Sequence, residues 1–147
     1  MGCDIHSQAE KRINGKWEVI PDLHPFDWRQ YGMFGFLADV RNYSAVPPLS
    51  QPRDLPEGSP SDGEDLGDHS YSWLSVEELT AFDYDQPMED RRVTRQIAPN
   101  VTSGAVTCEP GEGEKTTFRE FLGPAFFKDL EELKAAGAER VVFGFDS

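Results

Sequence analysis

Polar and apolar residues alternate from position 3 onward. Cys3, Ile5, Ser7 and Ala9 fall on one side of an extended chain, and Asp4, His6, Gln8 and Glu10 on the other. Asn14-Gly15 follows, a pair that accepts the positive φ angles of a tight two-residue turn, and Lys16-Trp17-Glu18-Val19-Ile20 reads as the returning strand. A β-hairpin is therefore predicted at this end. The far end alternates as well, with Val141, Phe143 and Phe145 on one face and Val142, Gly144 and Asp146 on the other. Pairing the first and last strands gives each a partner. Parity then brings Asp146 to the face of Asp4 and His6, beside the opening left by Gly144.

Helical spacing appears in the remaining segments. Ser75-Val76-Glu77-Glu78 has the form of a capping box, with Leu74 and Leu79 placed as a hydrophobic staple, and predicts a helix over 76–82. Pro124 suits a first helical position; Phe126, Phe127, Leu130 and Leu133 then recur on one face until Gly137 stops the helix. Thr117-Phe118-Arg119-Glu120 repeats the capping pattern and predicts a short helical turn before Gly123-Pro124. Tyr31–Val40 has a weaker helical pattern, interrupted by two glycines. Residues 44–68 and 98–115, rich in Pro, Gly, Ser and Asp, are expected as long loops. The expected fold is α+β. A small, mainly antiparallel sheet holds the N-terminal hairpin and the C-terminal strand, and two or three helices pack on it.

Composition narrows the class. A chain of 147 residues, 37% hydrophobic and 12% aromatic, suffices for one domain with one core. Two cysteines make no disulfide framework, and no apolar run reaches the length of a membrane span. A cytoplasmic protein without membrane contact is expected. The net charge of −13 excludes generic nucleic-acid binding, which needs a basic face to displace counterions. It still permits a small anionic ligand held by a few arginines.

Candidate chemistry centres on scarce histidines. The chain has three, and the two singled out as candidates each have an aspartate within two residues, in Asp4-Ile5-His6 and Asp68-His69. Asp4 and His6 point the same way from one strand, so Asp4 can orient His6 for proton transfer. Alternatively Asp4, His6 and His69 supply oxygen and nitrogen ligands to a divalent metal, the one cofactor the chain suggests. His69 is flanked by Ser70, Tyr71, Ser72 and Trp73, hydroxyls and flat rings suited to a phosphate and a stacked base. Arg41 and Arg53 border the 44–68 loop and are the expected phosphate-holding groups. His24, between Leu23 and Pro25, reads as a turn residue. No P-loop, Gly-x-Gly-x-x-Gly, zinc Cys-x-x-Cys pair or His-Glu-x-x-His is present. Asp62-Gly63-Glu64-Asp65 lacks the EF-hand's closing glutamate, because Trp73 stands at that position.

Taken together, Met1-Gly2-Cys3-Asp4-Ile5-His6, Phe36-Leu37-Ala38-Asp39-Val40-Arg41, Pro52-Arg53-Asp54-Leu55-Pro56 and His69-Ser70-Tyr71-Ser72-Trp73-Leu74 resemble a family of small bacteriophage proteins that open with the same six residues. The resemblance spans about residues 1–82. It implies a setting in the host cytoplasm, where small phage proteins act against immune systems built on nucleotide messengers. The leading expectation is a hydrolase of such a messenger, a cyclic oligonucleotide or related phosphodiester, with His6 and His69 as base and acid. The alternatives are a non-enzymatic sponge that holds the intact messenger at a homo-oligomer interface, and an acidic inhibitor of a basic host protein.

Overall fold

The computed structural model describes residues 2–61, 63–98 and 101–147. Met1 of the opening hexapeptide, Asp62 of the acidic loop and Pro99 of the second loop lie outside the described residues. In chain order the elements are β1 (Asp4–Ile13), β2 (Lys16–Val19), α1 (Tyr31–Ala38), β3 (His69–Ser75), α2 (Val76–Ala81), β4 (Pro87–Asp90), β5 (Arg92–Ala98), β6 (Val101–Thr107), β7 (Glu114–Thr117), α3 (Phe118–Leu122), α4 (Pro124–Ala135) and β8 (Arg140–Asp146). They gather into two compact units. One comprises Met1–Arg29, Pro52–Phe82 and Pro124–Ser147; the other comprises Gln30–Gln51 and Asp83–Gly123.

The first unit is built on an antiparallel sheet of order β2-β1-β8-β3. Asn14 and Gly15 take φ angles of 53° and 81°, the conformation the two-residue hairpin requires. The C-terminal strand β8 lies between β1 and β3, with Asp4 opposite Asp146, His6 opposite Gly144 and Gln8 opposite Val142. One face carries Ile5, Ala9, Leu74, Val141, Phe143 and Phe145, all buried. α2 packs near β3, β8 and α4, while α4 buries Phe126, Leu130 and Leu133. Both halves of the α2 capping box form: Ser75 Oγ accepts from the Glu78 N–H at 3.0 Å, and the Glu78 carboxylate accepts from the Ser75 N–H at 2.7 Å. Mixed α+β architecture is thus the observed class, as the terminal alternation and the capping signals imply.

Two expectations about local structure change. His69–Ser75 is strand β3 rather than the end of a loop, because Trp73 and Leu74 find partners in Val142 and Val141 of β8. The expected 98–115 loop contains β6 and the start of β7: β-branched residues such as Val106 and Thr107 pair with Val93 and Arg92 of β5. Residues 52–68 carry no helix or strand among the described positions, yet they are tied down. The Asp54 N–H donates to Tyr71 O at 2.9 Å, and Ser59 Oγ donates to Glu10 Oε2 at 2.7 Å.

In the second unit, β4 pairs with β7 and β5 with β6, and α1 lies near α3. Phe36 of α1 meets the rings of Tyr84 and Phe118, with centroids 5.9 and 5.8 Å away. α1 ends where Asp39 takes a left-handed φ of 58°.

Gly144 marks the tightest approach of the 52–68 segment to the sheet. A Cβ there would stand 2.1 Å from the Leu66 carbonyl oxygen and 2.7 Å from Tyr71 Cδ1. The oxygen belongs to backbone and cannot rotate aside, so Gly144→Ala must push the loop off the sheet. A stability loss of about 1–3 kcal/mol is expected. Urea denaturation should report it as a lower midpoint; an unchanged midpoint would show that the loop yields without cost.

Candidate active site

The face of β1 and β8 opposite the core carries Asp4, His6 and Asp146. Because Gly144 stands across from His6, no side chain comes between the imidazole and the residue two positions further along β8. His6 Nε2 and Asp146 Oδ2 are hydrogen-bonded there, each side chain about two-fifths exposed. Asp4, expected to orient His6, does something else. Arg29 grips it with two hydrogen bonds, Nε to Oδ1 at 2.9 Å and Nη2 to Oδ2 at 3.0 Å. Arg29 thereby holds the Asp4 carboxyl below the usual carboxylate range. The orienting carboxylate for His6 is Asp146.

A second imidazole joins His6. Beyond Val19 the chain runs beside the edge of β1 that β2 leaves uncovered, and the Ile20 N–H donates to Ala9 O at 2.8 Å. Ser7 Oγ donates to Pro25 O. Phe26 is buried and stacks on Phe126 of α4, centroids 4.8 Å apart, which fixes the segment against the unit's core. His24 Nδ1 lies 2.8 Å from Ser7 O. A carbonyl can only accept, so Nδ1 carries the proton and Nε2 of the neutral ring keeps its lone pair. His6, His24, Gln8, Asp27, Asp65 and Leu66 are among the residues around one cavity of about 540 Å³.

His69 is not part of that cavity. It pairs with Phe145, the neighbour of His6's partner Gly144, and adjacent residues of a strand point to opposite faces. Its ring stacks on Phe145 with centroids 6.2 Å apart. Its nitrogens lie 3.0 Å from Ser70 Oγ and 2.9 Å from Ser147 Oγ. The register shift between His69 and Ser72, with Ser70 at φ 56°, does not bring the imidazole back. The expected convergence of His6 and His69 is therefore corrected by strand parity. Asp4, His6 and His69 likewise form no metal site, and among the described residues no group of three His, Cys, Asp or Glu side chains is placed to hold a metal ion.

The other expected binding residues have defined roles. Tyr71 Oη donates to Gly67 O at 2.6 Å, and the Tyr71 ring lies against Gly144. Ser72 is buried and its Oγ accepts from the Arg53 N–H at 2.9 Å. Arg53 makes two hydrogen bonds to Glu78, at 2.8 and 2.7 Å, and lies over Trp73, 4.9 Å from the ring centroid. It does not line the His6 cavity, because the capping glutamate of α2 holds it. Arg41 belongs to the second unit, where its guanidinium lies over Tyr31 at 5.7 Å. His24, Asp27 and Asp65, with Gln8 and Leu66, are among the cavity residues that the sequence did not single out. The scarcity of histidine and the Asp22-Leu23-His24 spacing, the same as that of Asp4-Ile5-His6, pointed to His24, while its flanking Pro25 argued for a turn. No protein-family model, curated protein or solved structure matches this chain.

Proposed function

We propose that the chain hydrolyses a nucleotide signal, with His24 as general base and His6, oriented by Asp146, as general acid. The observation that carries this reading is the presence of two imidazoles in one cavity, each with one nitrogen committed to a fixed partner. His24 Nε2 takes a proton from water, and the water oxygen bonds to phosphorus. The phosphorus–oxygen bond to the leaving group breaks as His6, charged and held through Nε2 by Asp146, donates its Nδ1 proton to the departing oxygen. Proton exchange with solvent then restores both rings. Asp4, Asp27 and Asp65 give the cavity negative charge, but Asp4 is paired with Arg29 and the other two are exposed, so solvent screening keeps their repulsion of a phosphate small. The resemblance to phage proteins supports a messenger of host immunity as substrate and the host cytoplasm as the place of action.

The test is incubation of the protein with a panel of cyclic oligonucleotides and ADP-ribose compounds, with and without EDTA, followed by chromatography of the products. Cleavage of at least one compound, unaffected by EDTA, is expected. A compound that binds but is recovered unchanged after denaturing the complex would replace hydrolysis with sequestration. EDTA-sensitive cleavage would overturn the metal-free acid–base roles of His6 and His24.

A further inference from the structure

The sheet face that carries His6 continues past a buried polar bridge to a second concavity. Gln8 Nε2 donates to Glu10 Oε2 at 2.6 Å, and Arg140 Nε donates to Glu10 Oε1 at 2.9 Å, with Glu10 and Arg140 both buried. On the far side of this pair lies a cleft of about 570 Å³, with Trp17, Trp73, Arg12, Arg140 and Lys134 in its walls and Val76 and Ala138 among its apolar contributors. Its chemistry differs from that of the His6 cavity. In a chain of net charge −13, three cationic side chains meet two indoles here, with the carboxylates of Glu77 and Glu139 in the same wall.

The two indoles are not equivalent. Arg140 lies over Trp17 at 3.5 Å from the centroid and Arg12 at 5.1 Å, so Trp17 serves as a platform that arrays guanidinium groups. The Arg140 side chain is only 6% exposed, and Glu10 fixes its position. Trp73 is backed by Arg53, which is not part of the cleft wall, so the ring can be met from the cleft side. Lys134 is paired with Glu131 at 3.3 Å in an exposed contact, and Arg12 is the adaptable group. It bonds Glu139 Oε1 through Nε at 3.1 Å and Nη2 at 2.8 Å with its side chain 58% exposed, and an ion pair that exposed costs little to exchange for another anion.

We infer that this cleft is a binding site for a nucleoside phosphate: its base stacks on Trp73 and its phosphate meets Arg12 and Lys134 beside the fixed Arg140. The aromatic wall alone would accept any flat apolar molecule; the cations select one that carries an anion. The inference does not depend on hydrolysis, because none of these residues transfers a proton in the proposed reaction.

Titration of the full chain with AMP, followed by tryptophan fluorescence and by calorimetry, tests it. Saturable quenching is expected, and it should persist in Trp28→Phe, whose indole lies outside the cleft. Trp73→Ala should weaken binding about 5- to 150-fold, the change that corresponds to the 1–3 kcal/mol of one stacked base. Trp73→Phe keeps a ring for packing and should lie between the two, which covers the chance that the alanine variant misfolds. Arg12→Ala should weaken AMP but leave the weaker binding of adenosine unchanged. His6→Ala and His24→Ala should bind AMP as the unaltered protein does. The inference is overturned if no saturable binding occurs, if Trp73→Phe and Arg12→Ala retain full affinity, or if affinity follows His6 and His24 instead.

Discussion

His24→Ala is expected to lower turnover of the cleaved nucleotide by about 10²–10⁴-fold, and His6→Ala by a similar factor, the usual contribution of a positioned proton-transfer group. The reason is geometric. Ser7 O fixes the His24 tautomer, and Asp146 fixes the orientation of His6, so both rings are prepared before substrate arrives. Removing both should cost less than the product of the single losses, since base and acid act on one bond. Asp146→Asn should fall between the unaltered protein and His6→Ala, because the amide can still hold the ring but does not stabilise its charged form. His69→Ala is the control: on the opposite face, stacked on Phe145, it should retain activity. Single-turnover rates with each variant decide the matter. Loss in His69→Ala with full activity in His24→Ala would remove the proposed catalytic pair.

Glu10→Ala should destabilise the fold by about 3–5 kcal/mol, the cost of leaving a buried charge without its partner. Glu10 is fully buried and accepts hydrogen bonds from Arg140, Gln8 and Ser59. Without it the Arg140 guanidinium keeps its place against Trp17 but loses the carboxylate that balances it. Replacing both partners, as in Glu10→Met with Arg140→Met, should cost less than Glu10→Ala alone, since no charge is then stranded. Urea denaturation of the three variants tests both statements. A Glu10→Ala loss below about 1 kcal/mol would mean that water reaches Arg140. For a domain whose whole stability is on the order of 5–15 kcal/mol, the expected loss is large enough to lower the folded population near body temperature.

Much of the framework was legible without coordinates, because its signals are local. Asn14-Gly15 marks the hairpin through the φ angles those two residues tolerate, Ser75 and Glu78 close a box only three residues wide, and Gly137 stops α4 through its own left-handed φ of 71°. Period-two alternation at the two ends also fixed which residues share a face once β1 and β8 pair, and that parity is what brings Asp146 to His6. Segment 101–107 was obscured because its glycine and the flanking prolines mimic loop composition, while its strand character depends on pairing with β5.

What the linear chain left undecided rests on partners far apart in sequence. Gln8 and Glu10 look like a solvent face, and only the return of the 52–68 segment and the approach of Arg140, 130 positions away, make them a buried bridge. His69 and His6 look like a pair, until the register of β3 on β8 assigns them to opposite faces. His24 looks like a turn, until a carbonyl of β1 fixes its tautomer beside His6. Turns, caps and periodicity act over a few residues and are therefore written in the sequence. Register and burial depend on which distant segment covers a face, and the competing partners have similar local patterns. Only the tertiary structure makes that choice.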